Sequence, residues 1–238
     1  MNLLTLVTFL ITLLSFSTTS GAKSLQVRDG SGFTSLTGLP AGYTWSKLRY
    51  TTTINGQEVV FEGDHRQHIF EQVKAQNPDF QIPVLNATKV KEIQDKALLQ
   101  SHQSGFETRS DVFGGDGWHA YCIPVPSQPW TPANQMNLYV PLYTWQGDPV
   151  DYYTVRAKSC ALWSCVLGAG WTICNDSDHD TTTTDDGWTY YGFILMDNCG
   201  TVFNDYKSAN GGQIFNEAGG YNMIAAANWG SCYGEDYY

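Results

Sequence analysis

The chain has 238 residues and a formal charge of −10, with 13 Lys and Arg against 23 Asp and Glu. That excess of carboxylates repels phosphate, which argues against wholesale binding to nucleic acid or to anionic lipid. Six cysteines, Cys122, Cys160, Cys165, Cys174, Cys199 and Cys232, all lie in the second half of the chain.

The first residues form an uncharged apolar run, Met1 to Phe16, followed by small polar residues through Ser20-Gly21-Ala22. The run is shorter than the roughly 20 residues a bilayer span needs, so residues 1–22 read as a secretory signal peptide rather than a membrane anchor. The mature chain is then expected to begin near Lys23, to be extracellular and to have no membrane span. An even number of cysteines in an exported chain reads as a set of disulfides.

Residues 23–42 are rich in Gly, Ser and Thr with no periodicity and read as a flexible arm. Leu48 to Ile54 and Gln57 to Glu62 are β-branched and aromatic runs around Asn55-Gly56, the preferred two-residue hairpin turn. A helix is predicted next, capped by Asp64 with Gln67 completing a capping-box-like pair, buried through Ile69, Phe70 and Val73, and ending before Pro78. A second helix is predicted from Thr88 to about Gln100 on the spacing of Val90, Ile93 and Ala97. Residues 43–110 thus read as a small N-terminal α+β unit. The Gly-rich stretch from Ser104 to Gly117 marks its boundary with a cysteine-stapled α+β domain over 111–238.

In that second part, strands are predicted over Trp118 to Val125, Met136 to Trp145 and Asp151 to Ala157, separated by proline-containing turns. Ala161 to Cys174 reads as a short helix or turn around Gly168-Ala169-Gly170 feeding a strand from Trp171. Trp188, Tyr191, Leu195 and Cys199 form one helical stripe, so a helix is predicted from Thr184 or Asp185 to Asn198, stopped by Gly200. Gly211 to Phe215 and Tyr221 to Ala227 read as a closing hairpin around Asn216 to Gly220. The fold class expected is α+β, with antiparallel sheets and packed helices.

Few residue patterns carry chemistry. His65 and His68 are spaced i, i+3 with Glu71 one further turn along, a face able to bind a divalent metal, although near an exposed helix start an ordinary solvated polar face is the preferred reading. Asp176, Asp178 and Asp180 alternate like the first ligands of a calcium loop. Position six, however, is Thr181 rather than Gly, and position twelve is Gly187 rather than Glu, so an acidic surface loop is the alternative. Asp185 and Asp186 suit the positive end of the helix that follows them. His119 lies inside an aromatic strand and is the candidate acid/base, with Asp111 or Asp116 as nearby carboxylates, against a hydrogen-bonded structural role. No nucleophile-elbow or Cys/His nucleophile motif accompanies it, and no motif calls for a cofactor. Asn86-Ala87-Thr88 and Asn175-Asp176-Ser177 are N-glycosylation acceptors.

Ser164-Cys165, Cys174-Asn175-Asp176, Asn198-Cys199-Gly200, Gly211-Gly212-Gln213-Ile214-Phe215 and Tyr221-Asn222-Met223-Ile224 running to Ser231-Cys232 fall in a suggestive order. Over about residues 160–232 that order resembles the killer-toxin-like and necrosis-inducing effector families of small fungal secreted cysteine-rich proteins. The resemblance implies a helix packed on an antiparallel sheet in a disulfide-stapled α/β sandwich, and an extracellular effector role. It also implies the pairs Cys199 to Cys232, Cys165 to Cys174 and, by remainder, Cys122 to Cys160, although six cysteines allow many connectivities. The hairpin and helix of the first half are similar to the opening of guanyl-specific fungal ribonucleases, without a match to their catalytic set.

The leading expectation is therefore a non-enzymatic effector or toxin-like protein that binds a protein or glycan on another cell. A secreted hydrolase, ribonuclease-like or glycan-directed, using His119 is the alternative. A carbohydrate-binding wall protein drawing on Trp118, Trp130, Trp145, Trp163, Trp171, Trp188 and Trp229 is a third class.

Overall fold

The computed structural model describes residues 39–40, 42–82, 88, 91–92, 112–145, 152–199, 201–203 and 207–227. Among them the fold is α+β, as the sequence implies.

Seven strands make the main sheet. They are β1 (Thr44–Trp45), β4 (Val112–Gly115), β5 (Trp118–Cys122), β8 (Ser159–Val166), β9 (Ala169–Asn175), β13 (Gly212–Asn216) and β14 (Tyr221–Ala226). Their spatial order is β1-β8-β9-β14-β13-β5-β4, antiparallel throughout except for the parallel pairing of β1 with β8. A second sheet runs in the order β10 (Thr181–Thr184), β7 (Tyr152–Val155), β2 (Leu48–Ile54), β3 (Gln57–Gly63). A third joins β11 (Thr201–Phe203), β12 (Lys207–Asn210) and β6 (Ala133–Asn134). The helices are α1 (Arg66–Gln76), α2 (Gln135–Trp145) and α3 (Asp185–Cys199).

Every residue of β8, β9 and β14 is buried, because the centre of the main sheet is covered on both faces. On one face Trp163, Trp171, Ile173, Met223 and Ile214 join the larger core with Leu138 and Leu142 of α2 and Trp188 and Leu195 of α3. On the other, Leu162, Ile224 and Ala226 pack with Val125, Trp130 and the cysteines of β8 and β9. A register shift between Leu162 and Ser164 marks a β-bulge that lets Trp163 enter the larger core beside the pair Ser164 and Trp171.

The local signals that held are specific. Asn55 and Gly56 take positive φ (52° and 77°) and close the β2–β3 hairpin in the geometry an Asn-Gly turn favours. In α3, Trp188, Leu195 and Cys199 of the expected stripe are buried, joined by Gly192 and Met196. Gly212 is there for close approach: a Cβ on it would lie 2.3 Å from the Tyr121 carbonyl oxygen of the neighbouring strand.

Several expectations are corrected. Residues 135–145 are helical, not a strand. The continuous apolar run has neither period, and burial all round removes the polar face by which a helix is recognised. The side-chain oxygen of Asn134 accepts from the Met136 N–H (2.9 Å) and so caps this helix start. Ala161 to Cys174 is the β8–β9 hairpin, turning at Leu167 and Gly168 with positive φ (47° and 80°), not a helix. The N-cap of α1 is His65 rather than Asp64, its Nδ1 accepting from the His68 N–H at 3.2 Å. Thr88, Lys91 and Glu92 are helical, while the rest of the second predicted helix, the signal peptide over 1–22 and most of the arm over 23–42 lie outside the described residues.

The division at 110/111 does not separate two cores. β2 pairs with β7, β1 pairs with β8, and Leu48, Tyr50, Phe61, Ile69, Phe70 and Val73 belong to the same core as Tyr153 and Trp163. A hairpin and one helix present too little apolar surface to close a core alone, so the first half uses the second as its other wall.

The disulfides also differ from the pairing implied by the effector resemblance. Cys122 is bonded to Cys199, and Cys160 to Cys174. Cys165 is disulfide-bonded as well, but not to Cys174. The register decides this: Cys160 and Cys174 are direct cross-strand partners in the β8–β9 hairpin, and Cys122 points from β5 to the last residue of α3. Cys122 is thus not paired with Cys160, nor Cys199 with Cys232.

Candidate functional site

Ala120 and Cys122 of β5 are buried toward α3, so strand alternation sends His119 and Tyr121 to the opposite face of the main sheet. Phe215 of β13 is the direct partner of His119. The two rings stack with centroids 4.5 Å apart and planes 11° apart, and Tyr121 stands edge-on to both at 5.7 and 6.1 Å. Glu217 enters from the β13–β14 turn, its N–H donating to the Gly117 carbonyl at 3.0 Å. That places its Oε1 2.9 Å from His119 Nδ1. The His119 side chain is 33% exposed and that of Glu217 62%, so the pair faces solvent instead of lining a cleft. The strip therefore offers half-open ring surface for stacking and a carboxylate-oriented imidazole able to exchange a proton.

Beside the strip runs a hydrogen-bonded chain. Asn222 of β14 is the direct partner of Phe215. Gln213 Nε2 donates to Asn222 Oδ1 at 2.9 Å, and Asn222 Nδ2 donates to Asp176 Oδ1 at 2.7 Å. The Tyr43 hydroxyl donates to the same Asp176 oxygen. Burial, with the Asp176 carboxylate, raises the Tyr43 phenol well above its ordinary range, so it stays a donor. This bond ties the chain just before β1 to a loop more than a hundred residues further on.

The acidic loop does not converge on a common point. Asp176 is taken by Tyr43 and Asn222, Asp178 faces Lys158 Nζ at 3.4 Å, and Asp180 faces Arg49 Nη1 at 3.3 Å while accepting from the Ala157 N–H at 3.1 Å. Among the described residues no three His, Cys, Asp or Glu side chains are grouped to hold a metal. His65 is buried and used as a helix cap, His68 pairs with Asp64 at 3.5 Å, and Glu71 is exposed. Burial first, then repulsion from His68, pulls the His65 imidazole down to about 4, against the opposing pull of Asp64.

Of the carboxylates expected near His119, Asp116 is exposed in the β4–β5 turn and Asp111 lies outside the described residues. Glu217 takes that place, and 98 positions of separation hid it from any local motif. Trp130, Trp145, Trp163, Trp171 and Trp188 are core residues, and Trp118 is half-buried. The described tryptophans thus offer no row of exposed rings. Trp229 and the acceptor Asn86 lie outside the described residues.

Asn175 is fully buried, which corrects its reading as a glycosylation acceptor. Its Nδ2 donates to the carbonyls of Val155 (3.0 Å) and His179 (2.8 Å). Its Oδ1 accepts from the Ser177 N–H, the Ser177 hydroxyl and the Thr181 hydroxyl at 2.9, 2.7 and 2.9 Å. The Asn-x-Ser spacing here builds an Asx turn that shapes the acidic loop, leaving no amide hydrogen for a glycan.

Sequence reasoning also missed Arg66 and its pairing with Asp185, which the sequence marks only as a carboxylate at a helix start. The guanidinium sits among Trp145, Tyr153, Trp163 and Phe70, with its centre 3.8, 4.7, 5.0 and 5.5 Å from those rings. Nη2 bonds the Asp185 carboxylate and Nε donates to the Tyr153 hydroxyl at 2.8 Å. Asp185 Oδ1 accepts from Trp163 Nε1 at 3.2 Å. This charge is consumed in holding α1, α3, β7 and β8 together and is not available to a ligand.

No family model, curated protein or solved structure matches this chain.

Proposed function

We propose that this is a secreted effector- or toxin-like protein that acts by binding a protein or glycan target outside the producing cell, through the strip of His119, Tyr121, Phe215 and Glu217. The observation that carries the reading is the placement of three mutually packed rings and a carboxylate on a face open to solvent. The other conspicuous polar groups, Arg66, Asp185, Asn175, Asn222 and Asp176, are committed to the fold. Partly exposed aromatic rings beside polar side chains are the common currency of recognition surfaces. Export is supported by the apolar leader and by cysteines that are disulfide-bonded throughout the described residues. The killer-toxin-like reading draws on the helix-on-sheet arrangement of α3 over β13 and β14, although none of its three implied disulfides is formed.

The test is retention of the labelled mature chain on whole target cells, chitin and glucan. The double variant Tyr121→Ala, Phe215→Ala should reduce retention at least ~10-fold with little change in melting temperature, as expected when an aromatic anchor is removed. Undiminished retention would remove the strip from the reading.

The hydrolase alternative is favoured by one observation, the His119 and Glu217 pair. It requires product release from RNA or glycan that is abolished by His119→Asn and sharply lowered by Glu217→Gln.

A further inference from the structure

Where β1 joins the main sheet at the margin of the second sheet there is a pocket of about 410 Å³ lined by Thr44, Trp45, Ser46, Lys47, Glu62, Arg156, Ala157 and Ser159. That volume falls within the ~300–1,000 Å³ of small-ligand sites. We infer that this pocket binds a carboxylate-bearing sugar, a uronic acid unit of an acidic saccharide, with its carboxylate on Lys47 and Arg156.

The charge of the site runs against that of the chain. Overall the chain is at −10, yet here Lys47, Arg49 and Arg156 stand against Glu62 and Asp180. Glu62 Oε1 is shared between Arg49 Nε (2.6 Å) and Arg156 Nη2 (3.3 Å), and this pairing holds its carboxyl below the ordinary range and spends its charge. Arg156 keeps its remaining N–H groups, and among the described residues Lys47 makes no ion pair. Both side chains reach solvent at the mouth of the pocket. An anion entering it therefore meets two cations with donors to give.

The hydroxyls select the rest of the ligand. Ser159 Oγ lies 2.8 Å from the Arg156 carbonyl oxygen, which can only accept, so the Ser159 proton is committed there. The 2.8 Å contact between Ser46 Oγ and Ser159 Oγ must then use the proton of Ser46. Ser46 is left with acceptor capacity alone, and a group that meets it must donate, as a sugar hydroxyl does. Trp45, half-buried against the smaller core, also lines the pocket. A simple inorganic anion would use the cations and leave the Ser46 acceptor idle.

The test uses calorimetric titration of the full mature chain with a uronic acid oligomer, the carboxyl-reduced neutral oligomer and an oligoglutamate peptide. Expected is binding of the uronate oligomer alone, weakened at least ~10-fold by Lys47→Gln with Arg156→Gln and several-fold by Ser46→Ala, and restored in large part by Arg156→Lys. These magnitudes are those of lost charged and neutral hydrogen bonds. Melting curves of the variants report whether they fold. Tyr121→Ala with Phe215→Ala should leave this binding intact, so failure of the strip and failure of the pocket are told apart. Equal binding of the neutral oligomer, binding of the peptide instead, absence of uronate binding, or full binding by a folded Lys47→Gln, Arg156→Gln variant would each overturn the assignment.

Discussion

Arg66 and Asp185, 119 positions apart in the chain, form an ion pair in which the side chains are 0% and 1% exposed. The arginine opens α1 and the aspartate opens α3, so the pair ties together the starts of two helices far apart in the chain. Four aromatic rings around the guanidinium replace the water it has lost.

Removing one partner leaves the other charge buried and unpaired. Arg66→Met or Asp185→Asn should each lower stability by about 3–5 kcal/mol in urea unfolding, while the double variant should cost clearly less than the two together. Additive losses would mean that the two groups act through separate contacts.

The His65 cap makes the fold acid-sensitive in a defined window. Its imidazole titrates near 6.5 when unfolded and at about 4 when folded, so the unfolded chain binds the proton first as pH falls. The neutral ring's contribution is complete above about pH 6.5 and is lost as pH drops through about 4, a change on the order of 2–3 kcal/mol. His65→Asn keeps a capping acceptor without a titrating group, and its stability should fall less over that window, as read from urea midpoints at successive pH values.

The two described disulfides close loops of 77 and 14 residues. The chain-entropy relation assigns about 4.5 kcal/mol to the longer and about 3 kcal/mol to the shorter. Replacing Cys122 and Cys199 together should therefore cost more than replacing Cys160 and Cys174. Because the hairpin β2–β3 shares its core with the cysteine-bearing strands, far-UV and near-UV signals should be lost in one transition on reduction. Separate transitions would restore independence to the first half.

Secreted material from a glycosylating host should carry no glycan on Asn175, which peptide mass mapping would detect. Asn175→Asp replaces two donated hydrogen bonds with a carboxylate facing the Val155 and His179 carbonyls and should cost at least ~3 kcal/mol.

What could be read in advance is what local chemistry writes. Asn55-Gly56 announced its hairpin, and Trp188, Leu195 and Cys199 announced the buried side of α3. The α2 run misled because eight of its eleven residues are buried, and Pro141, which ordinarily argues against a helix, sits inside it. Disulfide pairing was illegible because it depends on register, and the register of β8 on β9 hangs on Leu167, an unusual residue for positive φ. His119 could be singled out as the histidine of an aromatic strand, but its partners Phe215 and Glu217 are brought to it only by the β5–β13 pairing. Arg66 was invisible for a simpler reason: an arginine in the first turn of a helix ordinarily stays in water.

The bond from Tyr43 to Asp176 spans 133 positions, and Asn222 approaches the same hydroxyl from 179 positions away. β1 likewise has no partner until β8 has been made, and the β2–β3 hairpin, which can pair locally, has its outer edge open until β7 follows. A growing polypeptide wired this way cannot complete its main sheet until synthesis is nearly finished. Its refolding from denaturant is correspondingly expected to be slow, in the range of long-range β topologies, and a C-terminal truncation before β14 should leave even the N-terminal segment unfixed.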